Sequence, residues 1–232
     1  MTKKCLWKIL MHNAIIFDLD DTLYKEIYYV RSGFNAVSIY VAEKTSLNHN
    51  NLLENLMLNY NSDMNPFLSL IEKYSLNITI QKMKNIYRSH FPSIQLDKNT
   101  KEILTILKKR KELRGLLTDG RLLQQRNKIE SLGLGQYFND ILISDEFGSE
   151  KPSIKNYSYF MDMGKGIELK YYYIGDNPNK DFISANKLGW ITICLRDNGQ
   201  NIHDQNFTLE KEYLPKHIID NIEDVLDIIN EV

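Results

Sequence analysis

Along this chain the hydrophobic pattern changes texture twice. An uninterrupted apolar run, Ala14-Ile15-Ile16-Phe17, breaks off at Asp18-Leu19-Asp20-Asp21-Thr22, which reads as a short strand buried on both faces that ends in carboxylates. From residue 25 to about 92 no second strand follows. Apolar positions instead recur at helical spacing over 26–44, 50–60, 66–74 and 79–90, in a background rich in Asn, Leu and Tyr. Beyond residue 98 the two periods alternate: helix 99–111, strand 113–118, helix 121–132, strand 140–143, helix 153–163, strand 171–174, helix 179–188, strand 190–195 and a last helix near 221–230. Short apolar strands alternating with helices predict an α/β fold, a Rossmann-like parallel sheet covered on both faces. The expected organisation is a core from residues 1–24 and 93–232, with 1–13 a loose extension, and a small all-helical domain from residues 25–92. Residues 198–216 are the least patterned stretch, and the sequence assigns them no function.

Composition narrows the partners. With 232 residues, 43% hydrophobic and 25% charged, the chain is long enough for a sizeable core and globular in character. A formal net charge of -1 gives no electrostatic footprint for nucleic acid or an acidic membrane surface. Cys5 and Cys194 make no disulfide framework, which fits a reducing cytoplasm. Residues 5–11 imitate a signal peptide, but Lys8 interrupts the run and no small-residue cleavage site follows. No stretch approaches the roughly 18 apolar residues of a membrane span. A cytoplasmic monomer or homodimer, without nucleic acid or membrane as partner, is the expectation.

The chemistry gathers where the predicted strands end. In an open parallel sheet, ligands bind outside the carboxyl ends of the strands. Here those ends read Asp18-Leu19-Asp20-Asp21-Thr22, Thr118-Asp119-Gly120, Ser144-Asp145-Glu146 followed by Lys151-Pro152, and Gly175-Asp176 followed by Asp181. Side chains two apart on extended chain point the same way, so Asp18 and Asp20 face one site while Leu19 and Asp21 face elsewhere. Adjacent acids repel, and Asp176 with Asp181 adds the oxygen ligands that a hard cation such as Mg2+ prefers. Lys151 supplies a fixed positive charge for Asp18 or a phosphate. Asp18 is then placed to attack phosphorus, and Asp20 to protonate the leaving oxygen and deprotonate water. Thr118 and the backbone amides after Gly120 are placed to cradle phosphate oxygens.

These residues resemble the motifs of the haloacid dehalogenase superfamily, over nearly the whole chain from residue 14. The Asp-x-Asp-x-Thr motif appears as Asp18 to Thr22, the strand-closing Thr as Thr118, the Lys as Lys151 before Pro152, and the acidic motif as Asp176 with Asp181. The resemblance implies a nucleophile at Asp18, an acid/base at Asp20 and phosphate binding by Thr118 and Lys151. It implies Mg2+ held by Asp18, the Asp20 carbonyl and Asp176, with Asp181 orienting or ligating it. It also implies that residues 25–92 form a cap that closes over the core and sets selectivity. Two positions depart from the pattern: Asp21 replaces the commoner Gly, and Asp119 replaces an Asn, placing extra negative charge beside the phosphate site that Arg121 or another cation would have to offset. Phosphate contacts are expected at Asp119, Gly120 and Arg121. From the two crossings into the helical segment, Tyr24, Lys25, Tyr28, Arg31, Arg88 and His90 are candidates to meet the substrate.

Each motif alone has an ordinary reading. Asp18 to Thr22 and Asp176 to Asp181 would serve as turns and helix caps, and Lys151 as a solvated lysine. Four such coincidences in the right order argue instead for one site, a Mg2+-dependent phosphatase of a small phosphorylated metabolite, a sugar phosphate or nucleotide. A phosphomutase, a haloacid dehalogenase of the same fold, and a non-catalytic module that binds a phosphorylated ligand are the alternatives.

Overall fold

The structure, a computed structural model, describes residues 13–110 and 112–231. Cys5, the apolar run over 5–11 and all of the expected extension except residue 13 lie outside the described residues. Asn13 itself already belongs to the first strand. Six strands form one parallel sheet: β1 (Asn13–Phe17), β2 (Leu113–Thr118), β3 (Asp140–Ile143), β4 (Lys170–Gly175), β5 (Ile191–Leu195) and β6 (His217–Ile219), in the order β3-β2-β1-β4-β5-β6. Ile16 of β1 lies opposite Gly115 of β2 on one side and Tyr173 of β4 on the other. The chain order reverses at β1, and the crevice beyond the carboxyl ends of β1 and β4 is the switch point where such sheets bind ligands.

Every residue of β1 is buried, as its unbroken apolar run requires. Ile15 and Phe17 pack on one face with Leu104 and Leu107 of α5 (Lys98–Lys109), Ile129 of α6 (Leu122–Ser131) and Val225 of α10 (Val225–Glu231). Ala14 and Ile16 pack on the other with Tyr157 and Phe160 of α8 (Ile154–Met163) and Ala185 of α9 (Ile183–Lys187). Each of the buried Ile, Leu, Val and Phe side chains among them contributes about 1.5–3 kcal/mol by leaving water.

Between β1 and α5 the chain runs through α1 (Glu26–Thr45), α2 (His49–Asn61), α3 (Pro66–Tyr74) and α4 (Ile80–Ser89). Asn48, Asn65 and Thr79 cap the last three by accepting amide hydrogen bonds from Asn51, Leu68 and Lys82. These helices bury a hydrophobic cluster of their own, including Val30, Phe34, Val41, Leu52, Leu56, Phe67, Leu70 and Met83. No helix among the described residues is long and apolar enough to cross a membrane.

The structure departs from the periodicity in three places. β6 falls at 217–219, where the periodicity predicts no element, because three residues at a sheet edge, two of them exposed, make no pattern. A one-turn helix, α7 (Ser144–Phe147), follows β3 where none was predicted. The predicted helix 179–188 shrinks to α9, because residues 177–181 are committed to a loop that places the Asp181 carboxylate.

Candidate active site

The strand ends converge on a cleft of about 240 Å3 whose walls include Asp18, Asp20, Thr118, Asp119, Gly120 and Asp176. Asp18 follows directly on β1, its amide donating to the Ile174 carbonyl at 2.8 Å and so carrying the ladder one step further. Leu19 turns into the core. Asp20 returns to the cleft, as the two-residue period requires. Asp21 sits at φ 56°, the left-handed region that glycine or Asp tolerates. Its carboxylate accepts from the amides of Glu26 at 2.9 Å and Ile202 at 3.0 Å, so it ties α1 to the loop after β5.

Three lysines sit among the acids. Lys151 is buried, with its Nζ 2.9 Å from Asp18 Oδ1 and 2.8 Å from Asp181 Oδ1, and it donates to the Tyr173 hydroxyl at 3.2 Å. Burial alone would lower its pKa, but the two carboxylates outweigh burial and hold it well above the usual range. Lys128 of α6 reaches Asp20 Oδ1 at 2.7 Å and Glu26 Oε1 at 3.1 Å and lies 4.4 Å over the Tyr29 ring. Lys180 lies 3.5 Å from Asp119. That cation, and not Arg121, offsets the extra charge at Asp119. Arg121 is exposed, and neither it nor Arg88 nor His90 lines the cleft. His90 is engaged within the helical layer, its ring nitrogens 2.6 Å from the Tyr87 carbonyl and 3.2 Å from the Ser32 hydroxyl.

Asp20 is held from three sides. Tyr24 donates its hydroxyl to Oδ1 at 2.5 Å, beside Lys128, and Gln125 donates to Oδ2 at 2.9 Å. Burial would raise its pKa, but Lys128 and these hydrogen bonds outweigh burial and lower it. Gln125 also donates to Thr118 Oγ1 and the Asp119 carbonyl, both at 2.7 Å, and so joins the two motifs.

The amides expected to cradle a phosphate are in part already used. Gly120, at φ 136°, donates its N–H to the Ser144 hydroxyl at 3.0 Å, and Leu122 donates to Asp145 at 2.9 Å. The turn of α7 thus caps the start of α6.

Asp18, Asp176 and Asp181 bring carboxylate oxygens within 4.8 Å of one another, all buried. Burial first, and then mutual repulsion, pushes Asp18 up to about 7 and Asp176 up to about 9. Such an excess of buried negative charge fits a hard divalent cation, which binds oxygen and restores the ionised forms. Asp181 is the most committed of the three: Lys151 takes Oδ1, and the amides of Asp176 and Asn177 donate to Oδ2 at 3.2 and 2.9 Å. That geometry suits orienting the site. Asp18 and Asp176 each give one oxygen to a neighbour, Lys151 and Asn201, and keep a second for a ligand. Gly175 is required for this closeness, since a Cβ there would stand 2.6 Å from Asp181 Oδ2.

Sequence reasoning missed Gln125, Lys128, Lys180 and Asn201 as site residues. The one signal was a polar pair three apart, Gln125 and Lys128, on a helix face that also carries Ile129. Their partners come from β1 and α1, which no local pattern relates to α6.

Fold and cleft together define a Rossmann-like α/β protein with an acidic, cation-competent site at its switch point. The model of the haloacid dehalogenase-like hydrolase family matches residues 15–195, and the chain belongs to that family. It is 25% identical over 233 residues to glyceraldehyde 3-phosphate phosphatase of Methanocaldococcus jannaschii, covering 96% of this chain and 99% of that protein. The enzyme of the same name from Methanopyrus kandleri is also 25% identical, over 237 residues, with 96% and 99% covered. Among solved structures, 2-haloacid dehalogenase from Pseudomonas syringae superposes with a TM-score of 0.61 at 19% identity, covering 95% of this chain and 99% of that one. That likeness speaks for the fold.

Proposed function

We propose that this chain is a Mg2+-dependent phosphatase that hydrolyses a small phosphorylated metabolite through an aspartyl phosphate on Asp18. The observation that carries the reading is the pairing of Asp18 with Lys151 in the same buried cluster as Asp176 and Asp181, with Asp20 held two residues away. A second Asp at this position supports phosphoryl transfer over dehalogenation, which by the family resemblance lacks it. Mg2+, when bound by Asp18, the Asp20 carbonyl and Asp176, supplies neutralising charge for the phosphate oxygens.

The remaining steps belong to the chain. Thr118 and Lys151 orient the phosphate. An Asp18 oxygen attacks phosphorus as the bond to the leaving oxygen breaks, and Asp20 delivers the proton that oxygen needs. Water then attacks the aspartyl phosphate, Asp20 takes its proton, and Asp18 is regenerated. The donors around Asp20 favour its ionised form, which suits the second step.

A sugar phosphate of a few carbons is favoured over a nucleotide. The cleft, at about 240 Å3, is smaller than the roughly 300–1,000 Å3 of most small-ligand sites, and among its lining residues His203 is the lone ring, with no Phe, Tyr or Trp to stack a base. The names of the two archaeal relatives point the same way. We further propose that residues 25–92 act as the cap: α1 begins at the cleft with Glu26, and Asn127 of α6 donates to the carbonyl of His90 at the return crossing.

The test is phosphate release from three-carbon phosphates, larger sugar phosphates and nucleotides, with and without Mg2+, in wild type and Asp18→Asn. Metal-dependent release lost in Asp18→Asn is expected, with triose phosphates preferred. Metal-independent release, or full activity in Asp18→Asn, refutes the reading.

A further inference from the structure

The unpatterned segment after β5 folds into a strap against the acidic edge of the sheet. Asp197 Oδ1 accepts the amides of Gly199, Gln200 and Asn201 at 2.8, 3.0 and 2.9 Å, closing the chain on itself. Gln205 clips the strap down: its Oε1 accepts from the Asp197 amide at 3.0 Å, and its Nε2 donates to the carbonyls of Asp176 at 2.7 Å and Leu195 at 2.8 Å. The strap also delivers a side-chain amide to the Asp176 carboxylate. Asn201 donates from Nδ2 to Asp176 Oδ2 at 3.1 Å, and its Oδ1 accepts from Lys25 Nζ at 2.6 Å.

The orientation of that amide follows from its neighbours. An ammonium only donates, so the Asn201 oxygen must face Lys25, and that leaves its amino group facing Asp176. Lys25 is the residue directly before α1, at the crossing into the helical layer. We infer that Asn201 is a positioning residue for Asp176, oriented by Lys25, and that the pair fixes the Asp176 carboxylate for the cation. Groups that orient a metal ligand from behind are worth about 10–100-fold in metal affinity. This inference rests on the Mg2+ reading of the site above.

The experiment is calorimetric titration of Mg2+ alone into wild type, Asn201→Ala, Lys25→Met and the double variant, which needs no substrate and no turnover. Both side chains are half-buried, and unchanged circular dichroism verifies the fold of each variant. Asn201→Ala is expected to weaken Mg2+ binding about 10–100-fold. Lys25→Met weakens it less, and the double variant matches Asn201→Ala, because Lys25 acts through Asn201. Wild-type affinity in Asn201→Ala overturns the inference, as does a Lys25→Met loss that adds in full to the Asn201→Ala loss. Wild type that takes up no Mg2+ defeats the metal reading itself, a result distinct from both.

Discussion

Lys128 is a buried cation shared by two carboxylates, and its removal should be costly in a way that can be worked out. In Lys128→Met the stem is nearly preserved but the ammonium is gone. The side chain is 1% exposed, while those of Asp20 and Glu26 are each 18% exposed. Breaking a buried pair from one side costs about 3–5 kcal/mol, because the partner's charge stays buried without compensation. Here both carboxylates keep some contact with water, and Tyr24 and Gln125 still donate to Asp20, so the low end of about 3 kcal/mol applies. At about 2–4 °C per kcal/mol for a chain of this size, that is a drop in Tm of roughly 6–12 °C by differential scanning calorimetry at pH 7.5. The sharper test is Glu26→Gln in the Lys128→Met background. It removes one of the two orphaned charges and should return part of the loss. A Lys128→Met Tm within about 2 °C of wild type, or no recovery on adding Glu26→Gln, would refute the view that this lysine exists to compensate both acids.

The remaining predictions concern the same shell of residues. Glu26 competes with Asp20 for one ammonium, and burial first, then the charge of Asp20, pushes its pKa up to about 7 from the usual 4.5. A pKa raised on folding contributes stability below the unfolded value and loses it as pH rises through the folded one. The Tm of wild type minus that of Glu26→Gln should therefore fall between pH 5 and pH 8, and a flat difference would contradict the assignment. Gly175→Ala drives a Cβ to within 2.6 Å of Asp181 Oδ2; it should cost about 1–3 kcal/mol by overpacking, read from denaturant midpoints, and weaken Mg2+ binding in the same protein.

Much of this fold is legible from the chain because each strand of the buried sheet announces itself. The runs 14–17 and 171–174 are short and unbroken by charge, and 113–118 is interrupted only by Arg114 before it closes on Thr118, a pattern too short for a helix. Asp18 and Asp176 are legible for the same reason, since each stands at the first polar position after such a run. What escapes is anything decided by two distant segments. Asp21 carries a turn chemistry that sequence suggests, yet its acceptors bind amides 5 and 181 residues away. Arg121 or another cation is the expected counter-charge to Asp119; Arg121 is exposed, and Lys180, from the loop after β4, is the cation that reaches it. The strap after β5 has no periodicity because its order comes from one carboxylate, Asp197, gathering amides, a device with no hydrophobic signature.

The placement of β1 has a kinetic consequence. It is the first described element to leave the ribosome, yet it lies at the centre of the sheet, and its two neighbours, β2 and β4, arrive only after the four helices of the insertion and, for β4, after residue 170. Those helices pair with sequence neighbours and bury a cluster of their own, so their contacts are local and quick to form, while the sheet consists of non-local pairings that are slow. During synthesis the strand that leads into Asp18 therefore waits, unpaired and apolar over residues 14–17, while the helical unit makes its local contacts. A nascent chain stalled before residue 170 exposes that strand to aggregation or to a chaperone, and Asp18 acquires Lys151, Asp176 and Asp181 only once synthesis has passed residue 150.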